Sequence, residues 1–394
     1  MISKIPIIGS SLTFTDFCCA FKGGFDAKAE SELADTLSEF CSGKEVFLLD
    51  SGAACLEVIL SCLKEQNAKD EVVMPAYAPG ILIDIVLKAG LKPVLCDVSF
   101  NTFNCDYDSL LKCISKKTLL VLVVHMFGMI MEGIEKLRSD LPEDIYIVED
   151  CAQAMGSSVH NKKTGSFSET GFFSFGRGKN ISLCTGGFIA TKDKRLAESI
   201  KKYIDCLKPP KFIDQLSWLS KALLVAYVVK PGVYGFLHNF TESFKKIKQD
   251  KLSFRSKFSP FQSRLAYRLL SRKESIFLNR YANGMFLLKR LKGIQELICP
   301  VVSEFSRPVF NRLPFILRDP GKVSLIKKRL WDAGIEASDL YAQPLHHKFD
   351  LGYKTQEFPN ACYLAKGLLT LPVYPEVKIH YLLKISEVIK KDAI

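Results

Sequence analysis

Acidic side chains are almost missing from one long stretch of this sequence. Residues 201–290 hold 5 Asp and Glu against 19 Lys and Arg, while the whole chain carries a formal charge of +12, so the remainder is close to neutral. Such a patch excludes a basic partner and suits an anionic one: nucleic acid, an acidic membrane surface or a phosphorylated small molecule. No nucleic-acid-binding motif accompanies it, and its cations are interleaved with apolar residues, so nucleic acid is not expected as a partner. A CxxC pair and a His/Cys ladder at zinc spacing are also lacking, and no metal site is expected. A membrane span is lacking as well. The most apolar stretch, WLSKALLVAYVVKPGVYGFL (218–237), has an uncharged core of only eight residues, 222–229, between Lys221 and the Lys230-Pro231 pair. That is far short of the roughly 20 that cross a bilayer. The stretch reads as a core or interface helix, with a membrane-surface contact as the alternative. Internal repeats and low-complexity tracts are absent.

What is present describes a folded enzyme. At 394 residues, 48% hydrophobic and 24% charged, the chain has room for one large domain and a smaller one. The 13 cysteines are odd in number, and several, such as Cys55, Cys62 and Cys96, sit inside apolar runs. They read as reduced thiols filling a core, which fits a cytoplasmic protein, at most peripheral to the inner face of a membrane. The opening residues, MISKIPIIGSSLTFTDF, carry one lysine and a short apolar patch broken by Gly9 and two serines. They do not read as a signal peptide.

Apolar runs rich in β-branched residues recur through the first half: VFLLD (46–50), EVVMPAY (71–77), PVLCDV (93–98), LLVLVVHMF (119–127), IYIVED (145–150), GFFSF (171–175) and GFIAT (187–191). Most are continuous rather than alternating, as in strands covered on both faces. Helical spacing follows the first of them in SGAACLEVILSCLKEQ, and SLLKCISKK (109–117) is amphipathic. The order predicts an α/β domain with a mostly parallel sheet. We expect a large α/β domain over 1–205, whose first 40 residues form an N-terminal segment and helix. A basic, apolar helical insertion with connecting helices then occupies 206–295, and a small α+β domain 296–394. In the last, RLPFILR reads as a strand, VSLIKKRLWDAG as a helix ending at Gly334, and YLLKISEVIKK as a final helix.

Four short segments carry the chemistry. VEDCAQAMG (148–156) puts Asp150 at the end of an apolar strand, where open α/β sheets collect ligands. The residue is either a helix N-cap or an acid facing a cation, for which a protonated pyridine nitrogen would serve. SGAA (51–54) opens a helix with small residues, leaving backbone N–H groups to face an anion or merely forming a capped turn. Ser174, in FFSFG, could add a hydroxyl to the same anion. In GFFSFGRGKNISLCTGGFIAT (171–191), Lys179 follows Gly176, Arg177 and Gly178. It is a surface charge or a reactive amine at the bottom of a site. A phosphate cradle, a strand-end aspartate and a later lysine in a glycine-rich turn, in that order, describe a site for pyridoxal 5′-phosphate. His125, ending the strand in VVHMFG, reads as a core histidine, with a site-lining role as the alternative. The His346-His347 pair lies in a loop and is left out of the catalytic set.

Together these segments resemble the DegT-like sugar aminotransferases of the fold-type I pyridoxal-phosphate superfamily. The likeness covers SGAACLEVIL, DEVVMPAY with AGLKPVLCDV, VVHMFG, VEDCAQAMG, the Lys179 segment, QPLHH and FPNACYLAKGLLTLPVYP. It implies a fold-type I large domain with a mostly parallel sheet and a small α+β C-terminal domain. By the same likeness Lys179 matches the lysine that bonds the cofactor, Asp150 its ring-nitrogen partner and Gln153 the residue beside the ring. Gly52, Ala53 and Ser174 match phosphate-binding positions. The activity implied is transfer of an amino group from an amino acid, typically glutamate, to a nucleotide-linked keto sugar, by a homodimer with shared sites. The chain departs from the family pattern in places. Ala53 stands where a threonine is common, and Cys184-Thr185-Gly186-Gly187 replaces the usual turn after the lysine. Pro79 falls where an aromatic stacks on the cofactor, leaving Tyr77 as the nearest substitute. FRSKFSPFQSRL (254–265) lies where a segment reaches the partner's cofactor phosphate, with Arg255 and Lys257 as replacement cations. Residues 207–253 are an insertion that could attract a diphosphate-bearing sugar or rest on a membrane. Two further readings stand beside this one: a regulatory or binding relative without activity, and a sugar-modifying enzyme of the same cofactor that does not transaminate. Such non-transaminating relatives replace the lysine, so Lys179 argues against the second.

Overall fold

The computed structural model of the chain describes residues 4–23, 26, 28–236 and 257–393. The remainder of the basic segment, Arg255 included, lies outside the described residues. The strands, in chain order, are β1 (Glu45–Leu49), β2 (Glu71–Pro75), β3 (Lys92–Cys96), β4 (Thr118–Val124) and β5 (Tyr146–Asp150), then the short hairpin β6 (Ser158–Val159) and β7 (Lys162–Lys163), then β8 (Thr170–Ser174) and β9 (Gly187–Thr191). The seven apolar runs expected from the sequence are the seven strands of one sheet, in the order β1-β9-β8-β5-β4-β2-β3. Only β9 runs against its neighbours; the pairs β2–β3, β2–β4, β4–β5 and β5–β8 are parallel. The other six strands therefore end on the same edge of the sheet. All seven residues of β4 are buried, which is why that run reads as continuously apolar.

Helices α1 (Phe14–Gly23), α2 (Ala29–Phe40) and α3 (Gly52–Glu65) precede or follow β1. Ser51 caps α3 by accepting a hydrogen bond from the Ala54 N–H at 3.1 Å. The helix buries most of its length against the sheet, from Ala54 to Leu63. Its entry is tight: a Cβ on Gly187 of β9 would sit 2.6 Å from the Gly52 nitrogen and 2.6 Å from the Phe173 oxygen. The helix expected over 109–117 is shorter, Tyr107–Lys112. Ser115 and Thr118 turn the chain instead, through Ser115 N–H to Thr118 Oγ1 at 2.9 Å and Ser115 Oγ to the Glu71 carboxylate.

The C-terminal region has the α+β make-up expected. Strands β10 (Leu297–Ile298), β12 (Leu313–Leu317) and β13 (Leu368–Leu371) form a three-stranded antiparallel sheet, and β11 (Ser306–Arg307) joins the β6–β7 hairpin. Its last helix is Ile379–Ala393. One buried apolar cluster runs unbroken from Ile5 through the large sheet to Ile389. The chain start contributes directly: Ile5 N–H donates to the Gly334 carbonyl at 2.9 Å, and the Glu336 carboxylate accepts from Ile7 N–H at 2.8 Å. Farther on, Ile8 fills the space beside Gly178, and Gly9 lies under the Tyr374 ring.

The apolar stretch after 210, read as a core or interface helix or else a membrane-surface contact, is not enclosed in the core. It forms the helix Phe212–Val228, of which only Ala222 and Ala226 are buried. Phe212, Ile213, Leu216, Leu223, Leu224 and Tyr227 are exposed. Composition alone does not say which face of a helix meets the protein, and here the small residues do. No helix among the described residues is long and apolar enough to cross a membrane. All 13 cysteines are free thiols, with Cys55, Cys62 and Cys96 buried as expected.

Beneath the sheet lies a charge cluster the sequence did not announce. Glu149 is fully buried and accepts from Gly165 N–H at 2.7 Å, Ser168 N–H at 2.8 Å and Ser168 Oγ at 3.0 Å. His125 Nδ1 accepts from Met131 N–H at 3.2 Å, so its proton sits on Nε2 and points to Glu149 at 3.2 Å. His125 is thus the satisfied core histidine expected. Burial pushes Glu149 toward its neutral form, but the hydrogen bonds of His125 and the Gly165 amide and the charge of Lys44 outweigh it and hold the carboxyl below its ordinary range. A group that binds its proton less readily when folded stabilises the fold fully above the unfolded pKa of about 4.3 and loses that contribution as pH falls through the lower folded value. Glu149→Gln should therefore lower stability to urea at neutral pH by about 3 kcal/mol or more. The gap between variant and wild type should shrink at acid pH. A gap that is constant across the acid range would contradict the assignment.

Candidate active site

The carboxyl ends of β1, β5 and β8 lie on one edge of the sheet, with β9 between β1 and β8. Asp150 is the last residue of β5 and is 5% exposed. Its Oδ1 accepts from Ala152 N–H at 2.9 Å. Burial raises its pKa, while the Ala152 amide, Lys179 and His125 pull it back toward the charged form. Asp150 is therefore a buried acid whose surroundings ask for a cation. It caps no helix of its own, which removes the N-cap alternative.

Lys179 is the lysine whose charge acts on Asp150. Its side chain is only partly buried, in the turn after β8, and its pKa is lowered by burial, restored in part by Asp150 and lowered again by Arg312. The turn is shaped by Gly178, whose φ of +75° suits glycine and whose missing Cβ would meet Ile8 Cγ2 at 2.6 Å. Three polar residues hold the turn from a distance. The buried Arg280 donates to the Lys179 carbonyl at 3.2 Å and to the Asn311 carbonyl at 3.2 Å. Asn180 Nδ2 donates to the Met155 and Val309 carbonyls at 3.1 and 2.9 Å. Asn311 Nδ2 donates to the Gly178 carbonyl. Sequence reasoning found none of these three, because their partners lie far along the chain.

A cradle opens beside the turn. A Cβ on Gly52 would lie 2.8 Å from Ser174 Cβ and 3.2 Å from its hydroxyl, so the start of α3 and the end of β8 are in contact only because residue 52 has no side chain. Ser174 Oγ accepts from Gly176 N–H at 3.1 Å. The Ser51 cap takes the Ala54 amide, leaving the amides of Gly52 and Ala53 at the helix end, where an intrahelical carbonyl partner does not exist. Gly52, Ala53 and Ser174 thus come together as expected, at the N-terminus of a 14-residue helix. With its cradle, its acid and its amine, this donor set fits the phosphate, ring nitrogen and aldehyde carbon of pyridoxal phosphate.

Gln153 is fixed at both ends: Oε1 accepts from Phe127 N–H at 3.2 Å and Nε2 faces Met126 Sδ at 3.3 Å. Tyr77, the nearest aromatic to the expected stacking position, has no exposed surface; its hydroxyl accepts from Tyr341 N–H at 3.3 Å, and the two rings lie 5.6 Å apart. Lys257 pairs by backbone with Leu49 at the end of β1 of its own chain. His346 is buried rather than solvated. It and His347 each bring Nε2 near Cys362 Sγ, at 3.7 and 3.8 Å.

Comparison with known proteins agrees with this geometry. The model of the DegT/DnrJ/EryC1/StrS aminotransferase family matches residues 25–390. A UDP-N-acetyl-3-dehydro-alpha-D-glucosamine 3-aminotransferase of Acidithiobacillus ferrooxidans is 25% identical over 86% of this chain and 82% of its own length. In fold, the chain is similar to DesV of S. venezuelae, with a TM-score of 0.80 at 20% identity over 100% of this chain and 99% of that one. It is also similar to Spr1654 of Streptococcus pneumoniae, solved in a PLP form, with a TM-score of 0.77 at 21% identity over 99% and 98%.

The cradle makes a specific prediction. Gly52→Val should fill the space against Ser174 and weaken pyridoxal phosphate binding by about tenfold or more, while binding of the unphosphorylated aldehyde pyridoxal changes less. Ser174→Ala should show the same asymmetry on a smaller scale. Spectroscopic titration of the two ligands measures both, and an equal loss for each would argue against a phosphate at this helix end.

Proposed function

The chain belongs to the DegT/DnrJ/EryC1/StrS aminotransferase family, and from that premise we propose that it moves an amino group from glutamate to a nucleotide-linked keto sugar, in the making of a polysaccharide or glycolipid. It is a pyridoxal-phosphate-dependent sugar aminotransferase; donor and substrate are the proposal. One arrangement carries the reading: the buried strand-end acid Asp150 and the turn that holds Lys179 lie on the edge where Gly52 and Ser174 meet. The Acidithiobacillus relative, named for a UDP-linked 3-dehydro sugar, supports a keto sugar on a nucleotide.

When bound, pyridoxal phosphate supplies an aldehyde that bonds to amines and a ring that draws electrons from the adjacent carbon. The chain's own residues prepare that chemistry. Burial, with Arg312 adding to it, makes Lys179 shed its proton more readily than a surface lysine. A larger share is then neutral at working pH, as a nucleophile and a proton-shuttling base require. Asp150, ionised by a positive ring nitrogen, would keep that nitrogen protonated. We assign the Gly52 and Ala53 amides and the Ser174 hydroxyl to the phosphate, and Gln153 to the side of the ring. The reading includes a homodimer, as in the family the chain resembles, with both subunits contributing to each site.

Mass spectrometry of products from a panel of nucleotide-linked keto sugars with glutamate tests the proposal. One sugar should gain an amino group. Lys179→Ala should lower turnover by at least about 10³-fold, and Asp150→Ala by about 10²-fold or more. Borohydride treatment of the pyridoxal-phosphate-loaded enzyme should leave a pyridoxyl group on Lys179. A yellow protein that aminates no sugar would overturn the substrate class. A colourless protein indifferent to the cofactor would favour the binding-module reading.

A further inference from the structure

We propose that the helix Phe212–Val228 seats this enzyme on the surface of an anionic phospholipid bilayer, lying flat with its outward apolar face among the lipid headgroups and upper acyl chains. The inference stands on the surface of the molecule and does not depend on which sugar is aminated.

The outward face is too apolar to be an ordinary surface. Ile213 is 67% exposed, Tyr227 57%, Phe212 56%, Leu224 54%, Leu216 46% and Leu223 40%. Positions 213, 216, 220, 223 and 227 follow helical three- and four-residue steps, so the exposed residues form one stripe rather than a scatter. Seventeen residues make this stripe about 25 Å long. Its protein-facing side is built from Ala222 and Ala226, with Trp218 and Leu219 packed against the cluster that includes Phe258 and Leu265. An apolar face this continuous marks a binding surface in a protein that must stay dispersed in water. Ser217 and Ser220 interrupt the stripe, and no described helix can span a bilayer. The form of contact that remains is a reversible, in-plane one.

Charge selects the occupant. Lys208, Lys211, Lys221 and Lys230 flank or punctuate the helix, all exposed, and none forms an ion pair among the described residues. Only Asp214 opposes them within the helix. Two copies meeting through this face would bring both sets of lysines together, within a region of 19 basic and 5 acidic residues in each chain. Like charges would then oppose the contact. Phosphatidylserine or phosphatidylglycerol headgroups complement the same lysines, and apolar burial and charge attraction then act in the same direction. Tyr227, apolar in its ring and polar at its hydroxyl, suits the depth of a membrane interface.

Flotation of the pyridoxal-phosphate-loaded enzyme with vesicles of phosphatidylcholine, with and without phosphatidylserine, tests the proposal. The enzyme should float with the anionic vesicles, far less with neutral ones, and less at high salt. The double variants Leu223→Asp/Leu224→Asp and Lys211→Glu/Lys221→Glu should each lose about tenfold or more in partition. Because these side chains are exposed, both variants should keep wild-type cofactor absorbance and melting temperature. Equal flotation of variants and wild type, or no binding to anionic vesicles, would overturn the proposal. So would sedimentation analysis in which the leucine variant alone dissociates a dimer, which would give this face to a second copy.

Discussion

The active edge of this protein depends on placing a carboxylate where water cannot reach it and supplying a positive charge to face it. An isolated charge in such a place would take up or release a proton rather than remain ionised. Asp150 ends β5 in that situation, and Lys179 enters from the neighbouring strand-turn as its partner. Each shifts the other's proton affinity opposite to the shift burial imposes. A ligand carrying its own positive charge beside Asp150 would act on it in the same direction as Lys179. The surrounding geometry serves this pairing. Parallel strands deliver both residues to one edge, and the glycine-lined start of α3 adds a place for a second, anionic group of the same ligand.

Adjacent residues of one strand solve opposite problems. Glu149 and Asp150 are both buried acids, but a strand sends them to opposite faces. Glu149 is fully satisfied by two backbone amides, a serine hydroxyl and the His125 proton, so it is held ionised and inert. Asp150 accepts a backbone bond from Ala152, and the other groups that favour its charged form, Lys179 and His125, act through charge alone. The difference between a structural and a reactive acid lies here in how many donors the protein has already given it.

Much of this was legible in the residues. Continuous apolar runs marked the seven strands to within three residues, because a sheet covered on both faces admits little else. Lys179 stood out because glycines crowd around it, and Gly52 because small residues opened a helix. Other features depend on partners far along the chain and leave no local mark. Arg280 and Asn311 reach from remote segments to carbonyls of the Lys179 turn, Asn180 reaches from the turn to the Val309 carbonyl, and Lys44 reaches the Ser168 carbonyl across more than a hundred residues. The packing of Tyr341 on Tyr77 was equally unannounced, because the two lie far apart in sequence. Whether the helix Phe212–Val228 would lie inside the core or at an interface was not legible, because hydrophobicity measures how apolar a segment is, not where its face points.

The first described residues have a mechanical meaning beyond their small size. Within five positions the chain is stitched to Gly334 at Ile5, wedged against Gly178 at Ile8 and covered by Tyr374 at Gly9. These three anchors belong to the C-terminal region, the Lys179 turn and the C-terminal region again. A strap fastened to the C-terminal region at both ends carries Ile8 with it, so a tilt of that region on the large sheet would shift the side chain that packs on the backbone one residue before Lys179.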